Sequence, residues 1–134
     1  MTAVILNLIG ALGLCMMGAK YCFGPAPADY HLKIMEVSKS DLDKRQAIVF
    51  TAIYRVTGAS VIAVAISLAS LSWFGVSANI LWAKLIVLIV GMVVGLPAFA
   101  ITYRVAKQTG VETPWKPTVI MLAILIVAFI LSVI

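Results

Sequence analysis

Charged residues are scarce in this chain. Asp, Glu, Lys and Arg make up 11% of its 134 residues, and hydrophobic residues make up 63%. Soluble domains contain about 25% charged and about 45–50% apolar residues. A core of this size cannot hide so many apolar side chains, so most of them must face lipid. The composition excludes a soluble globular domain and predicts an integral membrane protein.

Acidic side chains are missing from every long apolar stretch of the sequence. Carboxylates inside membrane spans commonly mark proton or ion pathways, so their absence argues against transport coupled to an embedded carboxylate. A channel or transporter is therefore the weakest of the functional alternatives.

Metal-ligating and nucleophilic motifs are also absent. His31 is the only histidine, and one histidine cannot form a zinc site alone. Cys15 and Cys22 would lie about 10.5 Å apart along a helix, too far for a disulfide. The chain has no glycine-rich phosphate loop and no Gly-x-Ser-x-Gly elbow. We therefore expect no metal and no cofactor.

Apolar stretches long enough to cross a bilayer, which takes about 20 helical residues, are present instead. The first has no basic leader and no Ala-x-Ala site, so we expect a retained span rather than a signal peptide. The sequence predicts an all-α polytopic membrane protein, a four-helix bundle forming a single domain over residues 1–134. The predicted spans are 2–23, 49–74, 80–103 and 117–134, with a polar connection at 24–46.

Basic residues cluster in the connections that follow spans one and three, which predicts that both connections are cytoplasmic. Both termini would then be periplasmic, in a bacterial inner membrane. The net charge of +5 is explained by topology and by attraction to anionic lipid, so nucleic acid is not an expected partner. Lys84 is the exception, and we expect it to snorkel past Trp82 to the outer headgroups.

The polar connection opens with Gly24-Pro25-Ala26-Pro27, which ends the first helix. Apolar residues at helical spacing in Ala28–Val37 predict a short helix lying in the membrane interface. The capping-box-like start at Ser40 predicts a second helix that continues to Trp73, over about 34 residues or about 51 Å.

Small residues offer close-packing faces on three of the predicted spans. A GxxxG pattern in span three permits close helix approach, either within the monomer or at a homo-oligomer seam. The helix-packing candidates are Gly91, Gly95, Gly58 and Gly10.

Two Tyr-Arg pairs, Tyr54-Arg55 and Tyr103-Arg104, fall on spans two and three. An antiparallel hairpin would return both to the cytoplasmic side, with Arg55 about 9 Å deeper than Arg104. An arginine at that depth needs a partner, which can be Asp29 or Glu36, backbone carbonyls, or a bound anion. The candidate anion-binding residues are Arg55, Arg104, Tyr54, Tyr103, Lys20, His31 and Asp29.

The segment Gly24-Pro25-Ala26-Pro27-Ala28-Asp29-Tyr30-His31, placed before a span with a Tyr-Arg pair, resembles that of small uncharacterised bacterial inner-membrane proteins. The topology is similar to that of the membrane-associated eicosanoid and glutathione metabolism superfamily. That resemblance implies a trimer with a cytoplasmic glutathione site on the second span. This span lacks the Glu and Asn expected beside the arginine, so only Arg55 and Arg104 correspond.

The sequence favours a non-catalytic membrane protein that self-associates or joins a larger membrane complex, with an anionic-lipid site on its cytoplasmic side. The alternative is an enzyme of the kind that the resemblance implies, acting on lipid or thiol substrates at the same face.

Overall fold

The computed structural model describes residues 1–134, all of them helical or in short connections. Four helices are long and apolar enough to cross a membrane, as predicted. The helices are α1 (Thr2–Phe23), α2 (Asp29–Met35), α3 (Lys44–Ser70), α4 (Leu81–Thr109) and α5 (Trp115–Val133). A 3-10 turn at Lys39–Asp41 precedes α3, and a π-helical segment, Leu71–Val76, continues it.

Helix α1 lies at the centre of the bundle. It packs against α3 on one side and α5 on the other, while α4 packs on α5. Helices α3 and α4 meet chiefly through the π-helical segment. We call the end that holds this segment the hairpin end, and the end that holds α2 and residues 110–114 the connection end. The two middle spans therefore join at the hairpin end and have no extensive contact elsewhere.

The contact between α1 and α3 depends on two glycines. A Cβ atom at Gly58 would lie 2.3 Å from the Cys22 amide nitrogen and 2.7 Å from the Gly18 carbonyl oxygen. A Cβ at Gly18 would lie 2.9 Å from the Gly58 carbonyl oxygen. Only hydrogen fits at either position, so the two backbones are in direct contact.

Helix boundaries differ from the sequence prediction at the polar ends. The second long helix begins at Lys44 rather than at Ser40. The Asp43 carboxylate accepts a hydrogen bond from the backbone amide of Gln46 at 2.8 Å, and this bond caps the start of the helix. The short second helix ends at Met35 because Glu36 adopts a left-handed conformation with φ 56°. Its position in the membrane interface remains a prediction.

Lys84 does not snorkel, so that prediction is wrong. It is 7% exposed, and its ammonium donates to the Asn79 side-chain oxygen at 2.5 Å and to the carbonyl of Ser132. The Ser132 carbonyl is free to accept this bond, because the last carbonyls of a helix have no hydrogen-bond donor within the helix. The two acceptors together compensate the buried ammonium charge at the hairpin end.

Candidate functional site

A cluster of aromatic side chains and His31 joins α1, α2 and α3 at the connection end. The amide of Ala28 donates to the Tyr54 hydroxyl at 2.9 Å. That hydroxyl also pairs with Nδ1 of His31, and the hydroxyls of Tyr21 and Tyr30 pair with each other. The Tyr21 and Tyr54 rings are 5.0 Å apart between centroids. These contacts hold α2 against α1 and α3, so the cluster has a structural role in positioning α2.

Burial sets the protonation state of this cluster. Desolvation lowers the pKa of His31 below its usual 6.5. Desolvation, and then the hydrogen bond between Tyr30 and Tyr21, raises the pKa of Tyr30 above its usual range. Both groups are therefore neutral at neutral pH. The Tyr54 hydroxyl thus accepts from the Ala28 amide and pairs with Nδ1 of a neutral His31.

Arg55 caps the connection end of α1. Its guanidinium donates to the carbonyl of Cys22 and lies 3.5 Å from that of Tyr21. Asp29 is exposed and forms no ion pair, because Lys116 with Glu112 is the one pair within 4.0 Å. Of the partners considered for Arg55, the structure shows backbone carbonyls, and the Asp29 pairing is not formed.

The second Tyr-Arg pair lies apart from the first. Tyr103 packs against Trp115 with 5.5 Å between ring centroids, and Arg104 is exposed. Because α3 and α4 meet chiefly at the hairpin end, their packing does not itself bring Arg55 and Arg104 together, and one shared anion site stays a prediction. Lys20 lies at the end of a cleft.

That cleft, between α1, α4 and α5, has a volume of about 440 Å³ and was not predicted from the sequence. Gly10 borders the cleft, and a Cβ there would have nothing within 4 Å. Gly10 therefore faces open space and does not mark a close contact between helices, unlike the prediction from the sequence. The polar side chains on its lining are Lys20, Asn7 and Thr118, and the Thr118 hydroxyl is bonded to the Pro114 carbonyl at 2.9 Å. In the sequence, the small residues on one face of α1 are the feature that could have indicated this cleft.

The GxxxG pattern of α4 also borders the cleft. A Cβ at Gly91 would lie 2.3 Å from a methyl carbon of Leu125, and one at Gly95 would lie 2.5 Å from a methyl carbon of Leu122. Both glycines therefore accept α5 leucines within the monomer.

Comparison with known proteins gives no relative, since no family model, no curated protein and no solved structure matches this chain. No group of three metal-ligating side chains occurs in the structure. The features that bear on function are therefore the cleft and the groups that line it.

Proposed function

We propose that this chain is a non-catalytic membrane protein that binds an anionic lipid from the cytoplasmic side of a bacterial inner membrane, with both termini periplasmic. The observation that carries the proposal is the cleft between α1, α4 and α5, which has apolar walls and a lysine at its connection end. Apolar pockets of about 300–1,000 Å³ with few polar groups are typical of ligand sites.

The charge at the cleft entrance supports an anionic ligand. Lys20 is exposed and forms no ion pair, and it belongs to the last turn of α1. The five acidic residues of the chain all lie in connections or at helix ends. A basic residue near a membrane surface contributes about 1 kcal/mol to attraction for anionic lipid. A phosphate or carboxylate at Lys20 would place its hydrocarbon chain along the apolar cleft.

The experiment is native mass spectrometry of the protein released from bilayers that contain phosphatidylglycerol and phosphatidylcholine. We expect retained phosphatidylglycerol, and about fivefold less of it for Lys20→Gln, which corresponds to about 1 kcal/mol. Lys39→Gln is the matched control, because Lys39 is an exposed lysine of the connection away from the cleft. Equal retention of the two lipids by the unchanged protein would refute the proposal.

Self-association, or docking into a membrane complex, is the second candidate. Helix α3 packs mainly on α1 and leaves Ser60, Ala63 and Ser67 exposed on its other side. The Ser60 and Ser67 hydroxyls donate to carbonyls of their own helix at 2.9 Å. This face therefore has small side chains whose hydroxyl donors already have acceptors. The same spectra would show a homo-oligomer or a stoichiometric foreign subunit. A trimer carrying a small thiol would instead favour the glutathione-type enzyme.

A further inference from the structure

Asn7 is a polar side chain that the fold leaves without a partner deep inside the bundle. It is 8% exposed, and its amide oxygen is buried with no hydrogen bond. It also lines the cleft described above. A buried polar atom without a partner costs about 1–3 kcal/mol, so native structures nearly always provide one. The missing partner of Asn7 is best supplied from the cleft.

Asn7 and Lys20 lie at opposite ends of the cleft. They are 13 residues apart on α1, which is about 20 Å at the rise of an α-helix. Gly10 and Gly13 lie between them on the same lining. Gly10 has open space beside it, and Gly13 approaches only the flexible end of Met121. The path between the two polar groups is therefore apolar, open at Gly10 and narrowed at Gly13 by the end of Met121.

An ordinary acyl chain fills this path poorly. With its charged head at Lys20, the chain would end in methyl and methylene groups beside the Asn7 amide. Those groups cannot form a hydrogen bond, so the amide oxygen would stay unpaired. A ligand with a hydroxyl at this position, which can donate to the amide oxygen, would remove that cost.

We propose that the ligand of the cleft is a single-chain amphiphile that is polar at both ends. Its anionic group pairs with Lys20, and a hydroxyl about 20 Å along the chain donates a hydrogen bond to the Asn7 side-chain oxygen. This inference rests on the proposed function, because it assigns the ligand class of the same cleft. Lys20 supplies attraction to the anion, and Asn7 distinguishes one chain from another.

The test compares palmitate with ω-hydroxypalmitate, which differ by one terminal hydroxyl. Binding is measured by displacement of a fluorescent fatty acid from the purified full-length protein in mild detergent. We expect the hydroxylated acid to bind about tenfold more tightly, the effect of one well-made hydrogen bond in a buried site. Asn7→Leu should remove this preference while retaining palmitate binding. Lys20→Gln should weaken both acids by the same factor.

Equal affinities of the unchanged protein for the two acids would overturn the inference, and the proposed lipid site would stand. This comparison needs no variant, so it decides the question even if Asn7→Leu fails to fold. A preference that survives in Asn7→Leu would also overturn it, because the hydroxyl would then be recognised elsewhere. If neither acid binds and no anionic lipid is retained, the proposed function itself fails.

Discussion

The ammonium group of Lys84 in α4 donates a hydrogen bond to the backbone carbonyl of Ser132 in α5, 48 positions later in the chain. A second bond, to the Asn79 side chain at 2.5 Å, ties the same group to the turn between the π-helical segment and α4. The carbonyl end of a helix carries a partial negative charge that stabilises a cation. Lys84 therefore joins three elements at the hairpin end of the bundle.

Asn79→Gly tests whether this lysine depends on its side-chain partner. Asn79 has φ 60°, a conformation that glycine adopts without strain, so the change removes the amide and keeps the turn. We expect a loss of about 2–3 kcal/mol, because a buried charge loses a charge-assisted hydrogen bond. Adding Lys84→Met should recover most of that loss. Unfolding in mild detergent measures both, and additive losses would show that the two residues are uncoupled.

Arg55→Met is expected to destabilise the protein by about 2 kcal/mol, because it leaves the Cys22 carbonyl without its donor. Asp29→Asn is the discriminating control. It should cost less than about 1 kcal/mol, the contribution of an exposed carboxylate in the first turn of a helix. A large effect of Asp29→Asn, coupled to that of Arg55→Met in the double variant, would instead indicate an ion pair.

Gly58→Ala should separate α1 from α3. The new Cβ would lie 2.3 Å from the Cys22 backbone, so the helices must move apart, at a cost of about 2–3 kcal/mol. Gly10→Ala is the matched control on α1, where nothing lies within 4 Å. It should leave stability unchanged or raise it by up to about 1 kcal/mol through helix propensity. Equal thermal shifts for the two variants would contradict the close contact.

Stability should fall as the solution is acidified from pH 7 to 5. The pKa of His31 in the fold is lowered by burial from its ordinary 6.5, so the unfolded chain takes up the proton first. Its stabilising contribution is complete above about pH 6.5 and is lost below it. The Asp41 carboxylate, whose pKa is lowered from 3.8 mainly by the Ser38 amide, titrates at lower pH.

His31→Asn isolates this effect, because the asparagine amide can pair with the Tyr54 hydroxyl as acceptor or donor without titrating. Melting temperature measured at several pH values should decline between pH 7 and 5 in the unchanged protein and much less in the variant. The same decline in both proteins would assign it to another group.

The four spans were predictable because a bilayer requires a fixed length of apolar helix, and only four such stretches exist. Their exact ends were not. Two neighbouring segments, one beginning at Ser40 and one at Asp43, each have the pattern of a helix N-cap. In the structure α3 starts at the second, where Asp43 and Gln46 form the capping box. Local spacing alone does not rank two such caps.

The candidate site was predictable only in part. Tyr54, Arg55 and His31 do lie together at the connection end, as their common depth suggested. The packing of α3 on α4 does not bring Arg104 to them, because a short loop between two helices fixes neither their crossing angle nor their separation at the far end. The cleft was missed because the sequence shows which helix faces carry small side chains but not which of those faces another helix covers.

The bond between Arg55 and the end of α1 also bears on the order of membrane insertion. The carbonyl that it serves is synthesised 33 residues before the arginine. Until α3 enters the bilayer, the final turn of α1 must keep that oxygen hydrated or in contact with the translocation machinery. The first helix thus completes its polar bonding only as part of a hairpin, and biogenesis should proceed through paired entry of α1 with α3.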